Sequence, residues 1–397
     1  FDRLWRAGLF YKLIGKLSDS EWRILHLYYK SSEGIVRLGD ELSDRFVIEE
    51  GVKQGGIISP LLFNFFINDL LVECLGSELG ARVGEVITCI IGYCDDLILL
   101  SPLASHLRRL LAICERYAEK WKIKFNASKS TVYCTHKNVY LQEEFYIAGG
   151  LLRNVENFEY LGLPIGEPTY LEDFFEKKFR SVEKSFFSIR RIGLHSKLTD
   201  PECLSFFYKQ FCQSIFLYGL ELVHLSKSLI KQLQSRQALI IKMALGLSKY
   251  CRNSPLLEAL NISSIIELYY KFKYLFIGQL KNHWVAYSLY KEVMKSCDKK
   301  STKASFCVQM IEIESFLITE QDRLGMIDIF KISKKEALDR IRNRFKCDNQ
   351  GLVDSVRTAL HDSHYRGLVG LLLRVDFRPD FRTAAIDEDL TLLYFDV

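Results

Sequence analysis

Two adjacent carboxylates, Asp95 and Asp96, stand between two apolar runs, Val86–Gly92 and Leu97–Leu100. Short apolar, β-branched runs on either side of a polar break read as the two strands of a hairpin. The pattern therefore predicts a β-hairpin with the acid pair at its tip. The flanks are too apolar for an ordinary solvated turn, so the hairpin is expected to be buried and to carry its charges into a domain. A charge pair in that position suits a hard cation better than it suits a core.

The rest of the first half has the alternation of a mixed fold. Residues 3–30 read as two helices, one with a stripe of Leu4, Ala7, Leu13 and Leu17, the other with Trp22, Leu25 and Tyr29. Ser18 and Ser20 are both placed to cap the second. Ile35–Leu38 and Arg45–Ile48 flank a polar turn, Gly39–Asp44, and predict a further hairpin. Ile57 to Cys74 reads as a long apolar helix. Leu107, Leu110, Leu111, Cys114, Tyr117, Ala118 and Trp121 recur at helical spacing. Short strands are expected near Thr131–Cys134, Phe145–Ile147 and Phe158–Leu161. The fold class this implies is α+β, an antiparallel sheet with helices on one face. From Tyr170 onward the pattern is helical, and Pro164, Gly166 and Pro168 punctuate the change.

Composition narrows the classes. With 48% hydrophobic and 26% charged residues over 397 positions, the chain has enough apolar surface for two or three cores. The net charge of +5 is compatible with a nucleic-acid partner without requiring one. Eleven cysteines occur with no Cys-x-x-Cys, the usage of buried thiols in a reducing compartment. Cys347, His361 and His364 lack a fourth partner at zinc-binding spacing. No apolar run is expected to reach the length of a membrane span, so an intracellular, cytoplasmic or nuclear, location without a membrane partner is the expectation.

Five segments occur in a fixed order within about 160 residues. They are Phe1-Asp2-Arg3, Gly51 to Asp69 (GVKQGGIISPLLFNFFIND), Gly92 to Leu100 (GYCDDLILL), Phe125-Asn126 with Lys129-Ser130, and Phe158 to Gly162 (FEYLG). In that order they resemble the palm motifs of reverse transcriptases of the non-LTR, LINE-type retrotransposon class. The resemblance is strong to about Gly166 and weaker through Leu217 to Glu221 (LYGLE) and Leu245 to Ser248 (LGLS). Beyond about residue 285 no family pattern is recognised.

The resemblance implies a polymerase palm over 1–167, a helical thumb over 168–250 and a helical C-terminal region of unknown role over 251–397. It implies template-directed addition of dNTPs to a DNA primer on an RNA template. Magnesium is the expected cofactor, with manganese able to take its place, and Asp95 and Asp96 are its expected ligands. The family's first metal-binding Asp is expected a few residues before Phe1, which would leave the chain short of one ligand. Cys94 stands where the family most often has Ala.

By the same resemblance Gly51, Gln54, Gly55, Ser59, Pro60 and Tyr93 lie at the incoming nucleotide, and Phe1 selects against a ribose 2′-hydroxyl. Lys129 assists departure of pyrophosphate as a general acid. Tyr160, Leu161 and Gly162 grip the primer. Lys177, Arg180, Lys184 and Arg191 fall on one helical face and would track a phosphate backbone. Plainer readings carry the same signatures: a glycine-rich turn before a helix, a solvated Lys after a turn, a strand before a turn and a solvated basic face. A fragment that binds nucleic acid without catalysis, or a retrotransposon relic, is the alternative to the enzyme.

Overall fold

The structure is a computed structural model that describes residues 2–135, 143–191, 200–296, 310, 312–315, 317–318, 332–361 and 369–374. The chain divides into two units, one of Phe1–Tyr160 with Val285–Ser296, the other of Leu161–Trp284 with Cys297–Val397.

In the first unit, α1 (Arg6–Leu13) and α2 (Asp19–Lys30) form where the sequence places two helices. Ser18 alone caps α2, in a reciprocal box with Glu21: its backbone N–H donates to Glu21 Oε2 at 2.9 Å, and its hydroxyl accepts from the Glu21 N–H. The expected stripe on α1 is wrong at Ala7, which is exposed; Arg6, Gly8, Leu9 and Phe10 are buried instead. The long apolar helix is α3 (Ser59–Gly76), starting two residues later than expected because Pro60 occupies its first turn. By length and composition α3 could cross a membrane, which corrects the expectation that no run would suffice. Its contacts give another reason for its apolarity. Leu62, Phe63, Phe66, Ile67, Leu70 and Cys74 are buried in the core of this unit, against α4 (Ala104–Trp121) with its Leu110, Cys114 and Tyr117. Burying each such side chain stabilises by roughly 1.5–3 kcal/mol before the entropy of ordering it.

A buried lysine pins these helices together. Lys12 Nζ donates to the Phe66 carbonyl at 2.7 Å and the Tyr117 hydroxyl at 2.6 Å, and pairs with Asp69 at 2.8 Å.

The strands depart furthest from expectation. The described strands pair two by two rather than as one antiparallel sheet, and one ladder, Thr131–Tyr133 with Arg153–Val155, is parallel. The run Val86–Gly92 is split. Val86–Ile87 pairs with Arg82–Val83, and the acidic hairpin is Ile90–Tyr93 against Asp96–Leu99. The expected turn Gly39–Asp44 shrinks to Gly39-Asp40, because Glu41–Leu42 pairs with Arg37–Leu38; Glu33–Gly34 pairs with Phe46–Val47 outside it.

The described residues of the second unit are mainly helical, as the sequence indicates. It opens with strand Leu163–Ile165 and α5 (Pro168–Arg191). A continuous run follows: α6 (Pro201–Phe207), a π-helical turn Tyr208–Gln213, then α7 (Ser214–Leu217). Next come α8 (Lys227–Ala244), α9 (Asn253–Ala259) and α10 (Ile265–Lys281). Arg236 of α8 clamps α5. It bonds both carboxylate oxygens of Glu183, at 3.1 and 2.9 Å, and Glu176 at 2.6 Å. A bidentate guanidinium–carboxylate pair fixes geometry as well as charge.

Candidate active site

The acidic hairpin has four residue pairs, Ile90–Leu99, Ile91–Ile98, Gly92–Leu97 and Tyr93–Asp96. Alternation puts Ile90, Gly92, Leu97 and Leu99 on one face, and Leu97 and Leu99 pack on the core with Ile90 buried among it. A Cβ on Gly92 would lie 3.2 Å from Leu71 of α3, so this face is in close contact with the helix. The other face carries Ile91, Ile98, Tyr93 and Asp96. Ile91 and Tyr93 are 46% and 61% exposed, and Asp95 and Asp96 are exposed too. The expectation of a buried hairpin is thus corrected: one face is buried and the acid pair belongs to the open one. Cross-strand partners Tyr93 and Asp96 leave Cys94 and Asp95 as the whole turn. Cys94 takes a left-handed φ of 53°, a conformation that favours glycine.

The hydroxyl of Tyr160 is buried with no hydrogen-bond partner among the described residues. Burial first, and the charge of Asp96 second, push its phenol up from its ordinary value. Tyr160 therefore lies close enough to the acid pair to feel it.

The glycine-rich loop is built onto the segment before α1. Gly51 has φ 77°, and a Cβ there would stand 2.7 Å from the Asp2 carbonyl oxygen. Only glycine fits that approach. The Gly51 N–H donates to the Leu4 carbonyl at 2.9 Å, and Gln54 Nε2 donates to Asp2 Oδ1 at 2.7 Å. Gly55 is also left-handed, at φ 74°, with open space around it. Ser59 is buried, and its hydroxyl donates to the Lys53 carbonyl at 2.6 Å, closing the loop just before Pro60.

Arg6 was missed by the sequence reading. It is buried, and it donates to the carbonyls of Gly51 at 2.8 Å, Tyr29 at 2.9 Å and Ile48. Burial pushes its guanidinium down from the ordinary value. A lone Arg on a helix carries no signal of burial until the fold supplies the carbonyls.

Lys129 is exposed on an Asx turn. Asn126 Oδ1 accepts from the Ser128 N–H at 3.1 Å and the Lys129 N–H at 3.3 Å. Phe1 lies outside the described residues. In the second unit, Leu161 and Gly162 are consecutive left-handed residues at φ 51° and 71°. Lys177, Arg180, Lys184 and Arg191 are all exposed on α5. Arg180 faces Glu176 at 3.8 Å, which discounts its charge.

Similarity to known proteins covers the first unit and extends past it. A family model for reverse transcriptase (RNA-dependent DNA polymerase) matches residues 1–165. Those residues belong to the reverse transcriptase family. The non-LTR resemblance read from the five motifs agrees with the relatives of this reverse transcriptase segment. The RNA-directed DNA polymerase from mobile element jockey of Drosophila funebris is 25% identical over 253 residues, 59% of this chain and 26% of that protein. A probable RNA-directed DNA polymerase from transposon X-element of Drosophila melanogaster is 23% identical over 295 residues, 71% of this chain and 31% of that protein. The Pol polyprotein of the type-2 element R2DM, from the same fly, is 33% identical over 133 residues, 30% of this chain and 12% of that protein. The chain spans about a third or less of the length of the curated relatives it matches.

Proposed function

We propose that the chain is the palm and thumb part of an RNA-directed DNA polymerase of a non-LTR retrotransposon, with the palm in 1–167, the thumb in 168–250 and a helical region of separate role in 251–397. The observation that carries this is the open face of the acidic hairpin. Tyr93, Asp95 and Asp96 share an exposed tip inside a segment that matches the reverse transcriptase family.

Two neighbouring exposed carboxylates offer the hard oxygen donors that magnesium takes while keeping several waters, and manganese suits the same donors. The donor set therefore fits the ion, with Asp95 and Asp96 as its holders in this segment. When bound, magnesium lowers the pKa of a primer 3′-hydroxyl and stabilises the pyrophosphate that leaves. The protein's own part is positioning. The left-handed turn at Cys94 presents Asp95, and Tyr93 offers a ring beside it. Gly51 and Gly55 let the backbone of the loop approach a nucleotide, with Gln54 as a polar contact and Ser59 and Pro60 fixing the start of α3. Lys129 would donate a proton to the leaving group. Tyr160, Leu161 and Gly162 would hold the primer strand, and Lys177, Arg180, Lys184 and Arg191 the phosphates of an RNA–DNA hybrid.

The test is primer extension on poly-A primed with oligo-dT, by the polymerase that carries this sequence. Asp95→Asn abolishes extension and leaves hybrid binding within about twofold, since the lost charge lies at the metal rather than along the phosphates. Extension by Asp95→Asn at the unmodified rate would remove the hairpin from the active site.

A further inference from the structure

The turn at Leu161 and Gly162 is held in place by a segment far away in sequence. The Tyr218 hydroxyl donates to the Leu161 carbonyl at 2.6 Å, across 57 positions of the chain. The Tyr218 ring lies beside the next residue: a Cβ on Gly162 would come 3.6 Å from its Cε1. Gly219 completes the contact. Its φ is 77°, which favours glycine, and a Cβ there would fall 2.1 Å from Leu163 Cδ2, so any other residue would also have to displace the Leu163 side chain.

Lys178 of α5 closes the arrangement from the other side. Its Nζ donates to the Tyr218 carbonyl and lies 5.2 Å from the centre of the Tyr218 ring, with Phe174 and Phe175 beneath it at 5.7 and 5.6 Å. Tyr218 is nonetheless 56% exposed. The hydroxyl is committed to the turn and Lys178 stands over the ring, while more than half of the residue stays open to solvent.

Leu161 is a costly residue for a left-handed conformation, by about 1–2 kcal/mol. Such a conformation persists where the surroundings over-determine it, and such places are often ligand contacts. Here the surroundings are Tyr218, Gly219 and Lys178. Resting on the reading of 160–162 as the primer contact, we infer that Tyr218 is a positioning residue that fixes the Leu161–Gly162 turn in the shape that receives the 3′ end of a primer strand. Lys178 and Gly219 hold Tyr218 for that task. The chemistry recognised is a recessed nucleic-acid 3′ end, as distinct from the phosphate track along α5.

The experiment uses the full chain and fluorescence anisotropy. One probe is an RNA–DNA hybrid with a recessed DNA 3′ end; the other is a blunt hybrid of the same length. Tyr218→Phe keeps the ring and deletes the donor to Leu161. It weakens binding of the recessed probe about fivefold, the worth of one hydrogen bond, and leaves the blunt probe unchanged. Adding Leu161→Asn, a residue that tolerates a left-handed φ, restores most of the lost affinity. Equal losses on both probes, or no rescue, would mean that Tyr218 is only structural. If the unmodified chain prefers the recessed probe and Tyr218→Phe prefers it equally, the inference fails while the primer reading stands. No preference in the unmodified chain removes both.

Discussion

Two single residues in the first unit carry unusual conformations or unmet bonds, and each gives a prediction. Cys94 sits at a left-handed φ in a two-residue turn whose first position normally takes glycine. Cys94→Gly is tolerated, because relief of that conformation offsets the lost packing and the added freedom of the unfolded chain. Cys94→Val places a β-branched residue at a positive φ, which such side chains tolerate worst, and lowers the urea midpoint. If Val were accepted as well as Gly, the turn geometry described above would be wrong. Tyr160 buries a hydroxyl without a partner among the described residues. Deleting an unsatisfied buried group costs nothing, so Tyr160→Phe leaves the thermal midpoint unchanged or raises it. A drop of several degrees would reveal a partner for that hydroxyl.

At the scale of elements, α5 is the clearest success of sequence reading and also its clearest limit. Spacing alone placed Lys177, Arg180, Lys184 and Arg191 on one exposed face, as observed. Spacing could not show that Glu176 and Glu183, on the same helix, would be taken by Arg236 of α8, or that Arg180 would face Glu176. The salt dependence of hybrid binding separates these cations. Replacing Lys177, Lys184 and Arg191 by Ala flattens the slope of log K against log salt by up to about three units on a B-like duplex, and adding Arg180→Ala changes it little. An unaltered slope would reduce the stripe to a solvated face. Helices such as α2 and α4 were legible because their apolar period runs over several turns and Ser18 marks a start. The ladders were not, because two to four residues per strand give too little alternation to separate a strand from its turn; Val86–Gly92 reads as one run and is two. The acid pair and the glycine loop were legible because each needs particular residue types at particular places. Arg6, Lys178 and Tyr218 were not, because their partners are mainly backbone carbonyls, which a sequence does not display.

At the scale of the whole molecule, the second unit carries a buried amine whose ionisation is linked to folding. Lys273 Nζ donates to the Val223 carbonyl at 2.8 Å and the Glu221 carbonyl at 3.2 Å, and burial pushes its pKa down to about 7 against the pull of Glu221 and Glu312. In the unfolded chain that lysine keeps its proton to about pH 10.4. Between those values the unfolded state binds more protons, so stability rises with pH. The urea midpoint of the second unit should climb from pH 7 to pH 9, by the equivalent of about 2 kcal/mol, and Lys273→Met should flatten the climb. A midpoint that falls over this range would contradict the burial. The first unit offers a different kind of handle. Asp2 bonds Gln54 and its backbone packs on Gly51, while the Leu4 carbonyl accepts from the Gly51 N–H, so the segment before α1 and the glycine loop are held as one piece. A loop some fifty positions downstream thus keeps its shape only while the stretch at residues 2–4 keeps its own, so a change as remote in sequence as Asp2→Ala should be felt at Gln54.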